Sequence, residues 1–337
     1  MSPSRRHPDI AQPVDITVVF ATCNRAAQLR ATLDAYRRID TAGIHWELLV
    51  VDNDSQDESQ AILAATSDLP LRWQVVTAPG QNNARNAALK RIRGALIVFT
   101  DDDAIPEPDC LQAYLRAARR WPNEAIFGAR IDPRFPAGTP QWMQQANFRF
   151  ASTAFARYAP RNDEGPVSRH PYGPSFAVRR SALGAHQFPT HLGPRSGSYA
   201  MGGEGHLLRR LRHEGWRYIH VPSARVEHVI RPDQIAPAWL FARANKKGRG
   251  QVYLPSDKPA NRYHWRGVPL RLWMSTIRCG LRFYLLGPFV NDRLRTRYGI
   301  KYELRRGEIQ ERLLSRTHIE QTDYRPAPGR NRGNYSN

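Results

Sequence analysis

Four runs of aliphatic and β-branched residues, each stopping at a polar residue, dominate the first hundred positions of this chain. Residues 14–21 read V-D-I-T-V-V-F-A, a pattern suited to a strand buried on both faces. Further strands are expected at 46–51, 72–77 and 95–100, the last (A-L-I-V-F-T) running straight into Asp101, Asp102 and Asp103. Between the strands the period changes. Leu29, Leu33 and Tyr36 recur at helical spacing after Asn24 and Arg25. A second helix is expected around 59–65, with Asp54, Ser55 and Asp57 available as N-caps. A third, rich in alanine, follows the Pro79-Gly80 turn over 82–93. Strands alternating with helices predict an α/β fold: a mostly parallel sheet with right-handed crossovers and helices on both faces.

Ligands of open α/β sheets bind beyond the carboxyl ends of the strands. The residues there are Thr22, Asn24 and Arg25 after the first strand, Asp52 and Asn53 after the second, and the Asp triplet after the fourth. All are polar, and the topology predicts that they converge on one rim.

Each constellation carries a chemical and a bland reading. Three adjacent carboxylates repel one another unless a cation sits among them, and oxygen-rich sites suit Mg²⁺ or Mn²⁺. A solvated acidic loop capping the next helix, with Glu107 and Asp109, is the alternative. Asp52 and Asn53 can hydrogen-bond a nucleoside, or simply build an Asx turn. Arg85 and Asn86, near a helix start, can meet diphosphate oxygens; Arg85 can equally be a solvated cation. Glu204, flanked by Gly203 and Gly205, can approach a substrate as a general base, or favour the start of the helix expected over 204–214. His228 follows a short strand expected at 216–221, and a lone histidine is commonly a packing or surface residue. No Ser-His-Asp, C-x-x-C, P-loop or G-x-G-x-x-G pattern supports a hydrolase, zinc, kinase or dehydrogenase reading.

Fifty Lys and Arg against 30 Asp and Glu give a net charge of +20, which attracts polyanions without naming one. No helix-turn-helix, zinc-finger or RRM signature accompanies it, so no specific nucleic-acid partner is expected. Cys23, Cys110 and Cys279 are too few and too scattered for a disulfide framework, which suits a reducing compartment. Neither a signal peptide nor a spanning helix is expected, so the location predicted is cytoplasmic, or peripheral on the cytoplasmic membrane face. After a proline-rich stretch from 133, the last hundred residues read as basic and mostly helical. Within 269–286, Leu270, Trp273, Met274, Ile277, Leu281, Tyr284 and Leu285 fall on one helical face, and Arg271, Ser275, Arg278 and Arg282 on another. That arrangement fits an interfacial membrane helix, or an ordinary amphipathic helix packed on the preceding domain.

Seven segments, taken in order, resemble glycosyltransferase family 2, the inverting enzymes with a GT-A fold. They are V-V-F-A-T-C-N-R (18–25), E-L-L-V-V-D-N-D-S (47–55), N-N-A-R-N-A-A-L (82–89), I-V-F-T-D-D-D (97–103), Y-G-P-S-F-A-V-R-R (172–180), G-G-E-G-H-L-L-R-R-L (202–211) and G-W-R-Y-I-H-V-P-S-A-R-V-E-H (215–228). The resemblance implies a GT-A domain over 14–230, with a nucleotide-binding half (14–103) and an acceptor half (104–230). A flexible N-terminus (1–13), a helical basic region (231–324) and a disordered tail (325–337) would flank it. It implies donor nucleotide-sugar contacts from Thr22, Asn24, Arg25, Asp52, Asn53, Arg85, Asp101 and Asp102. Asp101, Asp103 and His228 would hold a divalent metal, Mg²⁺ or Mn²⁺, and Glu204 would be the catalytic base. Two positions depart from the family pattern. Gly203 stands where many relatives carry Glu, and Ser175 where relatives often carry Asn. The expected activity is transfer of a sugar from a nucleoside-diphosphate sugar to a saccharide or lipid-linked acceptor, in surface polysaccharide or glycolipid synthesis. A nucleotidyltransferase making nucleotide sugars and a non-catalytic polyanion-binding protein are the competing readings.

Overall fold

A computed structural model describes residues 13–145, 148–194, 199–254 and 263–315. The expected flexible N-terminus (apart from Pro13), the tail 325–337 and positions 316–324 of the helical region lie outside the described residues. Nine strands form one sheet: β1 (Ile16–Thr22), β2 (Trp46–Asp52), β3 (Leu71–Val75), β4 (Leu96–Thr100), β5 (Ala104–Pro106), β6 (Ile126–Arg134), β7 (Gly165–Val167), β8 (Ser175–Arg179) and β9 (Tyr218–Val229). Their order is β3-β2-β1-β4-β8-β6-β9-β5, with β7 also paired to β9. The first four strands are mutually parallel. β8 runs antiparallel between β4 and β6, and β9 returns parallel to β6.

Period-2 alternation divides the core. Ile16, Val18 and Phe20 face one layer, where Leu29 and Leu33 of α1 (Ala26–Tyr36) meet Ile62 and Leu63 of α2 (Ser59–Ala65). Leu111 and Tyr114 of α4 (Cys110–Arg120) complete that layer. Val19 and Ala21 face the other, against Ala84 and Ala88 of α3 (Gln81–Leu89) and Leu207, Leu208 and Leu211 of α8 (Gly203–His213). Side chains of this size contribute about 1.5–3 kcal/mol each when fully buried, so the sheet and its five flanking helices form the stable frame. Three short helices, α5 (Gln141–Gln144), α6 (Arg149–Ala154) and α7 (Arg180–Leu183), interrupt the loop-rich middle.

Several boundaries differ from the sequence expectation. α3 stops at Leu89, four residues early. Trp216 belongs to the end of α8 and not to a strand: Gly215 takes φ +98 and the Trp216 N–H reaches Leu211 O, a glycine stop that closes the helix. β9, expected to end at Val221, continues to Val229. Its register against β6 slips between Ala129 and Arg130, from Val221 to Arg225, an irregularity that places Pro222 where no β6 residue is paired with it. His228 is therefore a strand residue, paired with Ala104 of β5.

Beyond β9 lie α9 (Pro237–Gln251), α10 (Leu270–Leu281) and α11 (Asp292–Leu314). α9 and α11 touch backbone to backbone: a Cβ on Gly248 would sit 1.9 Å from Leu304 O, and one on Gly307 2.1 Å from Asn245 O. α10 packs through Leu272, Thr276 and Gly280, whereas Leu270, Met274, Ile277 and Leu281 stay exposed. Its apolar stripe is thus not the face that packs on the domain. Among the described residues, no helix is long and apolar enough to cross a membrane.

Candidate active site

The register aligns the strand ends. Thr22 lies opposite Asp52 and Asp52 opposite Val75, so the loops after β1, β2 and β3 open on one edge. Asn24, in the left-handed region at φ 53, ties the first loop to the second. Its amide N–H donates to Ser55 Oγ (2.9 Å) and its Oδ1 accepts from Gln56 N (2.7 Å). Asp57 accepts from Ser59 N and from Ala26 N, both at 2.9 Å, and so supplies the starts of α2 and α1 together. Of the three caps expected for α2, Asp57 serves it directly, while Ser55 serves Asn24.

Asp52 is fully buried. Its Oδ2 accepts from Ser55 N and Gln60 Nε2, both at 3.0 Å, while Oδ1 has no hydrogen-bond partner. Asn53 is committed to its own chain: Nδ2 donates to Val76 O (2.6 Å) and Ala78 O (2.9 Å), and Oδ1 accepts from Gly80 N (2.8 Å). Both of its amide hydrogens therefore hold the loop that leads into α3. Asn86 does similar work, bonding Phe188 through both amide atoms at 2.8 Å.

The Asp triplet turns the corner from β4 into β5, and a cation of the chain meets each carboxylate. Asp101 Oδ1 accepts from Arg85 Nη2 (2.8 Å) and Gln81 Nε2 (2.9 Å). Arg85 is 2% exposed, lies over the Phe188 ring and is no solvated surface cation. Arg25 Nη1 bridges Asp102 Oδ1 (2.7 Å) and Asp103 Oδ2 (3.0 Å), and Thr22 Oγ1 donates to Asp102 Oδ2 at 2.8 Å. Burial dominates the charge states of the first two: it raises Asp101 against the pull of Arg85, and pushes Asp102 up to about 6 against that of Arg25. Burial acts on Asp103 too, but contact with His228 and Arg25 outweighs it and holds that carboxyl well below the usual range.

His228 is 7% exposed; its Nδ1 lies 2.9 Å from Phe155 O and its Nε2 3.5 Å from Asp103 Oδ1. With Nδ1–H donating to a carbonyl, Nε2 faces Asp103, whose carboxylate raises the imidazole against the effect of its burial; a metal held between the two would take the place of the Nε2 proton. Among the described residues, no three His, Cys, Asp or Glu side chains are arranged so that together they could hold a metal ion. Asp103 and His228, with Asp101 beside them, nevertheless form an oxygen and nitrogen edge. That fits an ion which takes its remaining ligands from substrate phosphates and water.

Glu204 occupies the first turn of α8. A Cβ on Gly173 would lie 3.4 Å from Asp101 Oδ2 and 3.7 Å from Glu204 Oε1, so the two carboxylates face one small space across that glycine. Neighbouring residues explain both departures noted above. A Cβ on Gly203 would sit 2.2 Å from Asn82 Nδ2, whose amide is fixed to Pro189 O (2.9 Å) and Leu192 O (2.8 Å); no larger side chain fits while Asn82 holds that position. Ser175 points into the protein, its hydroxyl 2.8 Å from Tyr114 OH.

Three rim residues were not singled out in the sequence. Gln81 opens α3 beside Asp101. Arg231 places Nη1 3.9 Å from Asp103 Oδ2. Arg243 on α9 lies within electrostatic reach of Glu204, Asp103 and Asp101. The two arginines sit in a basic region where no local pattern marks one arginine above another.

Among solved structures, the fold is similar to the mannosyltransferase PcManGT from Pyrobaculum calidifontis in complex with GDP-Man and Mn²⁺. The TM-score is 0.57 and the identity 19%, covering 92% of this chain and 90% of that one. The validoxylamine A glucosyltransferase of Streptomyces hygroscopicus is 30% identical over 127 residues, 36% of this chain and 30% of that protein. The succinoglycan biosynthesis protein ExoO of Rhizobium meliloti is 30% identical over 112 residues, 33% of this chain and 32% of that protein. The aligned regions span half or less of the lengths of three curated relatives, 50%, 32% and 30%. The model of the family "Glycosyl transferase family 2" matches residues 17–186, from β1 past β8, and stops short of Glu204 and His228. With half of the chain matched and the sheet arranged as described, the chain belongs to glycosyl transferase family 2.

Proposed function

We propose that this transferase moves a sugar from a nucleoside-diphosphate sugar to an acceptor hydroxyl with inversion, and that it depends on a divalent metal. The observation that carries the reading is the placement of Glu204 and Asp101 on either side of Gly173, beyond the carboxyl ends of β1 and β4. On this reading the donor nucleotide lies along Thr22, Arg25 and Asp52, whose unpartnered buried Oδ1 is an acceptor suited to a base or ribose donor. Asn24 and Asn53 hold the loops that shape this edge, and Asp102, tied to Thr22 and Arg25, fixes its floor. Asp103 and His228, with Asp101, would hold Mg²⁺ or Mn²⁺, which when bound supplies charge neutralisation for the diphosphate. Arg85 holds Asp101 in position and pulls against the burial that raises its carboxyl. The PcManGT complex holds GDP-Man and Mn²⁺, the same class of donor and ion.

Glu204 removes the proton from the acceptor hydroxyl as its oxygen bonds the anomeric carbon. The bond from that carbon to the diphosphate oxygen breaks on the opposite face, and its electron pair leaves with the nucleoside diphosphate. One displacement inverts the anomeric centre. ExoO, named for succinoglycan biosynthesis, supports a polysaccharide or glycolipid product.

The exposed stripe of α10 supports contact with an anionic membrane face. Met274 is 62% exposed and Phe289, just beyond the helix, 87%, with the exposed Arg271, Arg278 and Arg282 alongside. Apolar side chains beside cations match acyl chains beside anionic headgroups.

Incubation with a panel of UDP-, GDP- and TDP-sugars, with Mn²⁺ or with EDTA, tests the catalytic reading. Turnover of one donor class with Mn²⁺, giving a product of inverted configuration by NMR, is expected. A product of retained configuration, or equal turnover in EDTA, would overturn it.

A further inference from the structure

α9 has two unlike faces. One packs on α11, where Asn245 Nδ2 donates to Glu303 and Gln310 (both 3.0 Å) and Arg249 pairs with Glu311 at 2.6 Å. The other carries Trp239, Arg243, Lys246 and Lys247 at i, i+4, i+7 and i+8, which a helix places on one side. This second face is fastened to the segment leading into Glu204: Met201 N donates to Lys246 O at 3.0 Å, and a Cβ on Gly250 would lie 1.8 Å from Met201 O. With Gly248 pressed on α11 as well, α9 has no freedom to draw away from either neighbour.

The cations of this face make no ion pair with any described residue, although Arg243 feels Glu204, Asp103 and Asp101 at longer range. Among the described residues, no carboxylate lies within ion-pairing distance of Arg243 or Lys247. Arg243 Nε is buried without a hydrogen-bond partner, and the guanidinium lies over Trp239 with its carbon 5.1 Å from the ring centroid. Lys247 Nζ lies 5.9 Å from the Phe150 centroid. Burial first, then the neighbouring Arg169 and Arg243, pushes the Lys247 ammonium down to about 8. Like charges at i and i+4 oppose each other, and desolvation adds to the cost. A bound anion removes both penalties. On the other side of the site the cations are already matched, Arg85 to Asp101 and Arg25 to Asp102 and Asp103. The unmatched pair stands on the flank that carries Glu204, the side on which the proposed base would meet an acceptor.

We propose that Arg243 and Lys247 form a subsite for a phosphate group that the acceptor carries close to its reacting hydroxyl. The inference rests on the reading of Glu204 as the base, and it narrows the acceptor class to phosphorylated saccharides or lipids.

Butyl phosphate, with butanol as the uncharged control, is titrated calorimetrically into protein saturated with nucleoside diphosphate and Mn²⁺, and into the free protein. Wild type should bind the phosphate ester and not the alcohol. Arg243→Met and Lys247→Met should each weaken that binding about tenfold or more, the loss of one charge-assisted hydrogen bond, with nucleotide affinity unchanged. Arg243→Lys should retain part of it, and thermal unfolding of each variant checks its fold. Butyl phosphate binding no better than butanol would overturn the subsite. Variants that weaken the nucleotide and spare the ester would overturn it as well, assigning these cations to the donor. Absence of any nucleotide binding to wild type would sink the donor reading alone, since the titration of the free protein still decides the subsite.

Discussion

The corner after β4 and the helices after β9 treat charge in opposite ways. At the corner, Asp102 and Asp103 are buried and Asp101 is half-buried beside them, and each already has an arginine of this chain beside it. On α9 the cations Arg243 and Lys247 have no carboxylate beside them, and on α10 the apolar side chains face outward. The first region is complete enough to fold with its charges satisfied, and a metal and a nucleotide would rearrange partners that exist. The second is held by the close glycine contacts of α9 with α11, by Arg249–Glu311 and by a buried cluster that includes Leu240, Ala244 and Ile300, and on the proposed reading its outer groups are left for substrate and surface.

The largest effect expected is on catalysis. Glu204→Gln should lower kcat by about 10²–10⁴-fold without changing nucleotide affinity, and Glu204→Asp should recover part of the loss. Steady-state rates at saturating donor would show this, and a Gln variant within a few-fold of wild type would remove Glu204 from the mechanism. Next comes stability. Arg85→Met leaves half-buried Asp101 with Gln81 alone, and should cost about 1–3 kcal/mol in denaturant unfolding. Arg278→Met on the exposed side of α10 should stay within about 0.5 kcal/mol. Equal costs would erase the contrast between the regions.

Ile277→Asp with Leu281→Asp should leave unfolding nearly unchanged and abolish co-flotation with anionic vesicles. Wild-type protein that fails to float would end the membrane reading. The last effect has the opposite sign. Because Lys247 is pushed below its ordinary 10.5 to about 8 in the folded chain, the unfolded chain holds that proton more tightly between those values. Wild-type stability should therefore rise as pH climbs from 8 to 10.5, relative to Lys247→Met. At pH 7 the Met variant should be slightly the more stable of the two. A destabilised Met variant would mean that the ammonium is not an uncompensated charge.

How much of this was legible beforehand follows from burial. β1, β2 and β4 are covered on both faces, so their sequences are unbroken apolar runs and their polar ends stand out; the convergence of Thr22, Arg25 and the Asp triplet followed from that alone. The length of β9 was hidden because Pro222 reads as a strand end, whereas the register slip after Ala129 leaves it unpaired with β6. Gly203 looked like a missing acid, but the Asn82 amide, more than a hundred residues away in the chain, fills the space. The α10 stripe was visible as a period, yet a period cannot say which face packs; Gly280 against the Tyr302 ring decides that. Arg231 and Arg243 had no signal at all in a chain with 50 basic residues.

The central claim is that the Asp corner holds a metal-bound nucleotide. Calorimetric titration of UDP, GDP and TDP, each with Mn²⁺ and with EDTA, into wild type and into the double variant Asp101→Ala, Asp103→Ala addresses it directly. One nucleotide class should bind wild type with Mn²⁺, and that binding should disappear in EDTA and in the variant. Failure of all three to bind well-folded wild type, or binding indifferent to both EDTA and the substitutions, would contradict the account.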